Sequence, residues 1–138
     1  MFQGTASHVG KSVLTTAFCR LLHRRGVRVA PFKAVNMSNN AWVTQDGGEI
    51  AYAQAVQAKA CGLDPTVEMN PVLLKPTGQN SSQLILKGRV RAMVPAQEYP
   101  FFRDELNAII QSSLEQLLES YEFVVIEGAG SPDRKSVV

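Results

Sequence analysis

The sequence predicts an α/β domain, a three-layer sandwich on a mainly parallel sheet, and three observations predict it. Short apolar runs (Val27 to Phe32, Val72 to Leu74, Phe123 to Ile126) alternate with stretches of helical periodicity. The run Phe123-Val124-Val125-Ile126 is apolar throughout, as a strand covered on both faces must be. Glycine-bearing turns follow strand candidates at Gly4 and Gly128, and in such sheets ligands gather at the carboxyl ends of strands.

Taken in order, Phe2-Gln3 is a stub of strand entering a glycine loop. From Lys11 to Arg25, Val13, Leu14, Ala17, Phe18, Leu21 and Leu22 recur at helical spacing, and Gly26 supplies a stop. Val27 to Phe32 reads as a buried strand. The polar, turn-rich stretch from Asn36 to Gly48 reads as a loop over the functional edge. Glu49 to Cys61, rich in alanine, reads as a helix closed by Gly62. After a connection over Pro65 to Pro71 come strand candidates at Val72 to Leu74 and Gln83 to Gly88. Phe101 to Tyr121 is the longest helix, with Leu106, Ile109, Ile110, Leu114, Leu117 and Leu118 as one stripe for packing on the sheet.

A net charge of +2, from 14 basic and 12 acidic residues, is too small for a nucleic-acid stripe. No run approaches the roughly 18 apolar residues of a membrane span, and no secretory signal is visible. Cys19 and Cys61 have neither CxxC spacing nor a histidine at ligand distance, so each reads as a small buried side chain in a reducing cytoplasm.

The strongest local signal is Gly4-Thr5-Ala6-Ser7-His8-Val9-Gly10-Lys11-Ser12. Triphosphate oxygens need many donors in a small space. A glycine loop feeding a helix presents backbone N–H groups there, with a favourable dipole. Gly4, Thr5, Val9 and Gly10 would cradle ATP, Lys11 would reach the β- and γ-phosphates, and the Ser12 hydroxyl would sit on magnesium (Mg2+). Five residues, not the standard four, separate the two glycines. That variant belongs to a branch of the P-loop NTPases that includes dethiobiotin synthetases.

Other candidates lie at the same edge. Lys33 ends a buried strand and could hold a substrate carboxylate or an acyl phosphate, or be solvated. Asp46, beside Gly47-Gly48, could be a Mg2+ ligand, direct or through water. Glu49 could join it or cap the helix it opens. Glu127, after the apolar strand and before Gly128-Ala129-Gly130, is placed as the second anchor for Mg2+, or is an acid at a plain turn. Trp42 could touch a ligand or simply pack.

These residues resemble the cobyric acid synthase family (CobQ). The likeness runs through Gly4 to Ser7 and Gly10 to Ser12, Pro31-Phe32-Lys33-Ala34 with Asn36-Met37-Ser38 and Asn40, Asp46-Gly47-Gly48-Glu49 with Ala53-Gln54, Met69-Asn70-Pro71-Val72-Leu73-Leu74-Lys75-Pro76, and Glu127 to Pro132. Val35 and Tyr52 depart from the family pattern. The resemblance implies ATP- and glutamine-dependent amidation of the carboxylates of a corrinoid, cobyrinic acid a,c-diamide, through an acyl phosphate. It implies catalytic roles for Lys11, Lys33, Asp46 and Glu127, and Ser12, Asp46 and Glu127 around the metal, with Lys75 a further candidate for holding substrate.

In the family, ammonia comes from a C-terminal glutaminase domain, and neither Cys19 nor Cys61 sits on the exposed, glycine-flanked turn that a nucleophilic thiol needs. Residues 1–132 are therefore expected to be a partial synthetase domain, truncated at both ends and inactive alone. Residues 133–138 are expected to be a non-native tail resembling translated adapter. A homo-oligomer remains open. The competing readings are a dethiobiotin-synthetase-like ligase, which leaves Met69-Asn70-Pro71 unexplained, and a ParA/MinD-type ATPase switch, whose extra lysine is missing from Gln3-Gly4-Thr5-Ala6.

Overall fold

A computed structural model describes residues 1–4, 10–78 and 80–129. Strand β1 (Val29–Phe32) lies parallel to β8 (Phe123–Ile126), Val29 opposite Phe123 and Phe32 opposite Ile126. On the other side of β8, Phe2 makes a parallel bridge to Glu127, so the strand stub leads into the glycine loop as expected. After a two-residue break β1 runs on into β2 (Val35–Met37), parallel to β5 (Val72–Pro76). Two antiparallel strands, β6 (Ser81–Leu86) and β7 (Arg89–Pro95), extend the sheet from β5.

Helix α1 (Lys11–Arg24) starts from Gly10, whose φ of 88° is the left-handed geometry that glycine adopts without strain. It packs with α2 (Tyr52–Ala60) over β1 and β8: Cys19 and Cys61 meet Val29 and Val125, flanked by Phe2, Phe18 and Leu22. Helix α3 (Arg103–Ser120) bridges the two strand groups. Leu106, Ile109 and Ile110 pack on Val72, Leu74, Leu84 and Leu86, and Leu114 and Leu117 on Ala30 and Phe32. The expected stripe is therefore buried or half-buried except for Leu118.

Several expectations need correction. The stretch from Asn36 to Gly48 is not one loop: it holds the end of β2 and a strand β3 (Ala41–Val43), antiparallel to β4 (Glu49–Ala51). Glu49 consequently lies in a strand, and the helix begins at Tyr52, preceded by an extended Ala51. Strand β7 is an addition. Lys87 and Gly88, with φ of 43° and 75°, form a two-residue turn with both central residues left-handed, the geometry that matches the twist of a hairpin. In α1 the buried face carries Thr15, Phe18, Cys19 and Leu22, while Val13, Leu14 and Leu21 of the expected stripe are exposed.

Candidate functional site

The site grows from Glu127, at the carboxyl end of β8. Its backbone is fixed on both sides: Glu127 N–H donates to Phe32 O at 2.8 Å, and the next N–H, of Gly128, donates to Phe2 O at 2.8 Å. A Cβ on Gly128 would meet the side-chain end of the exposed Gln3, which a shift of that flexible side chain would relieve. The side chain is 1% exposed, yet three groups converge on it. Ser12 Oγ donates to Oε1 at 2.8 Å, Lys33 Nζ donates to Oε1 at 2.7 Å, and Gln57 Nε2 donates to Oε2 at 2.7 Å. Burial pushes the carboxyl pKa up, but the hydrogen bond and charge of Lys33, then Gln57 and Ser12, outweigh it and hold Glu127 below the ordinary carboxylate value.

The structure thus brings together Ser12, Lys33 and Glu127, from the start of α1, the end of β1 and the end of β8. Gly10 and Lys11 precede Ser12 at the helix start, where the first-turn N–H groups have no intrahelical acceptors. Gly4 follows the Phe2 bridge. Thr5 to Val9, the rest of the predicted phosphate cradle, lie outside the described residues, as do Gly130 and the tail from Ser131 on.

Asp46 sits in the turn between β3 and β4 and takes part in a different set of contacts. Thr44 Oγ1 donates to its carboxylate, and Arg89 Nη2 donates to its backbone oxygen at 3.1 Å. The Thr44 hydroxyl holds the Asp46 carboxyl below its usual range. Glu49 does not cap α2: it is ion-paired with Lys75 across β4 and β5. Trp42 packs against Tyr52, ring centroids 6.1 Å apart.

Sequence reasoning gave no role to Gln54 and Gln57. Both are fully buried, on one face of α2, three residues apart. Asn36 Nδ2 donates to Gln54 Oε1 at 2.6 Å. The signal was there: two uncharged polar residues at helical spacing among alanines, on the side of the helix that the small residues mark for close packing. Asn70 is a further buried polar residue. Its Nδ2 donates to Lys33 O and Val72 O, both at 3.0 Å, and its Oδ1 accepts from Ala51 N–H at 3.0 Å.

This chemistry fits a Mg2+–nucleotide. Among the described residues no cluster of three or more His, Cys, Asp or Glu side chains could cage a metal. One carboxylate and one hydroxyl at a helix start instead suit a hard ion that draws its remaining ligands from phosphate and water. Cys19 and Cys61 are buried side by side in one apolar cluster. The contact with Cys19, together with burial, pushes the Cys61 thiol up. No described helix is long and apolar enough to cross a membrane.

The sequence profile of the CobQ/CobB/MinD/ParA nucleotide binding domain matches residues 1–134. The chain belongs to this P-loop family. Among its members it is similar to the cobyric acid synthases of Rhodococcus jostii, 57% identical over 94% of the chain, and Sorangium cellulosum, 57% identical over 96%. That of Pelotomaculum thermopropionicum is 55% identical over 96%. In each case the match covers 25% of the relative, so the chain spans about a quarter of the length of these CobQ-type proteins. Within this family domain, the Ser12–Lys33–Glu127 cluster lies at the start of α1 and the carboxyl ends of β1 and β8.

Proposed function

We propose that this chain is the ATP-binding, carboxylate-activating part of a cobyric acid synthase, an enzyme that amidates the side-chain carboxylates of cobyrinic acid a,c-diamide in cobalamin biosynthesis. The observation that carries the reading is the buried Glu127 carboxylate held between the Ser12 hydroxyl and the Lys33 ammonium at the start of the phosphate-loop helix. The likeness to cobyric acid synthases over nearly the whole chain supports the substrate class.

A carboxylate does not exchange its oxygen for ammonia, because oxide is a poor leaving group. Phosphorylation by ATP gives an acyl phosphate and ADP, and ammonia then attacks the acyl carbon, expelling phosphate and leaving the amide. Phosphoryl transfer asks mainly for positioning and charge stabilisation. In this reading Ser12 and Glu127 would hold Mg2+, which would supply positive charge to the triphosphate. Lys11 grips the terminal phosphates, while Lys33 stands where phosphate and substrate carboxylate meet. Asp46, in its separate turn, is read as an outer group reaching the metal through water. Ammonia is supplied by a glutaminase domain outside this chain, and the reaction belongs to the cytoplasm.

The test is Mg2+–ATP binding by the chain, followed by phosphate release from a full-length version. Wild type should bind and Lys11→Ala should not; release should rise with cobyrinic acid a,c-diamide. Binding that survives Lys11→Ala would overturn the site. Stimulation by a diaminononanoate, or by DNA or membranes, would move the function to the dethiobiotin-synthetase or ParA/MinD type.

A further inference from the structure

Two buried polar atoms next to the site have no partner among the described residues: Gln54 Nε2, a donor, and Gln57 Oε1, an acceptor. Each belongs to an amide whose other end is engaged. Gln54 Oε1 accepts from Asn36 Nδ2 at 2.6 Å, and Gln57 Nε2 donates to Glu127 Oε2 at 2.7 Å. Buried polar groups are rarely left unpaired, because desolvation is costly when no bond replaces water. Here the two orphans are complementary, and they stand one helical turn apart on the same face of α2.

We propose that Asn36, Gln54 and Gln57 form a directed amide relay to Glu127, closed by a hydrogen bond from Gln54 Nε2 to Gln57 Oε1. The direction is set at the carboxylate end. Glu127 is paired with the Lys33 ammonium and can only accept. Gln57 must therefore present its NH2 to Glu127 and its carbonyl to Gln54. Gln54 in turn donates to Gln57 and accepts from Asn36. Reversing any one amide would set carbonyl against carbonyl or against the carboxylate. Terminal amide torsions are broad, and rotation about them would close the link. Every dipole then points the same way, and each bond polarises the next.

The relay makes Gln54, Gln57 and Asn36 positioning residues. It pins Oε2 of Glu127, which leaves Oε1 for Ser12, Lys33 and whatever binds there. It also ties the carboxylate to β2, so movement of Asn36 is felt at Glu127. The outer end of the relay is the carbonyl oxygen of the half-buried Asn36, which is an acceptor. This deepens the proposed site, since it rests on Glu127 serving the nucleotide.

Side-chain amide NMR on the chain decides it. A scalar coupling across the hydrogen bond between Gln54 Nε2 and the Gln57 side-chain carbonyl carbon is expected in the unaltered protein. Gln54→Met should shift the Gln57 NH2 resonances, and Asn36→Ala, at the half-buried end, should move them the same way. Each variant should also weaken Mg2+–nucleotide binding, towards the roughly 10–100-fold losses seen when outer-shell partners of metal sites are removed. Absent coupling, with Gln57 resonances unmoved in both variants, would overturn the relay. A chain that shows the coupling but never binds nucleotide would keep the relay and sink the function proposed for Glu127.

Discussion

Glu127 keeps its charge where a lone carboxylate would lose it, and Lys33 is the reason. The two side chains are 1% and 12% exposed, so removing one strands the other in a poorly solvated place. Lys33→Met should destabilise the chain by about 3–5 kcal/mol in urea unfolding, the range for breaking buried pairs. Glu127→Gln added to it should recover much of the loss. The pH dependence follows from the direction of the shift. The folded-state pKa of Glu127 lies below its unfolded value, so the carboxylate stabilises the fold above the unfolded value of about 4.3, and the contribution is lost as pH falls through the folded value. The gap in unfolding midpoint between wild type and Glu127→Gln should stay constant near neutrality and close on acidification; a gap that widens in acid would contradict this. At this scale Ser12, Lys33 and Glu127 were legible, because each ends or begins an element the pattern reveals. Gln57 was not. A glutamine in an alanine-rich helix has no intrinsic preference for the inside, and only its partner 70 residues away makes burial tolerable.

The elements were legible where one periodicity rules. Helix α3 and the β1 and β8 strands followed their apolar patterns. Helix α1 carries apolar residues nearly all round, so periodicity could not select the buried face; contact with α2 and β8 selects Thr15, Phe18, Cys19 and Leu22. Strand β7 went unread although Val90, Ala92 and Val94 alternate with Arg89, Arg91 and Met93, because Lys87-Gly88 is a weaker hairpin signal than Asn-Gly. The turn itself makes a sharp prediction. A Cβ on Gly88 would lie 2.7 Å from Gly48 Cα and 2.8 Å from Glu49 N. Gly88→Ala should therefore cost more than the roughly 1–2 kcal/mol of left-handed strain alone. Gly26, with φ of 79° and nothing within 4 Å of its Cβ position, supplies the control: Gly26→Ala should show only that strain. Equal losses in the two variants by thermal unfolding would argue against the close packing of β4 on the β6–β7 turn.

For the molecule as a whole, a ligand that binds only the folded chain must stabilise it. Mg2+–ATP at about 100 times its dissociation constant should add about 2.7 kcal/mol, read as a rise in melting temperature that Lys11→Ala abolishes. The α/β class was legible from alternation alone. How the two strand groups join was not, because a buried side chain adds to the backbone bonds at the junction. Asn70 clasps the end of β1 through Lys33 O, the start of β5 through Val72 O, and the entry to α2 through Ala51 N–H. That clasp also has a chemical lifetime. Asparagine ages by deamidation when the backbone nitrogen of the following residue attacks its side-chain carbonyl, and the product acid would set a negative charge against two carbonyl oxygens. The residue after Asn70 is Pro71, whose ring nitrogen has no hydrogen to give up. An amide with three bonds is thereby shielded from the commonest spontaneous damage its side chain can suffer.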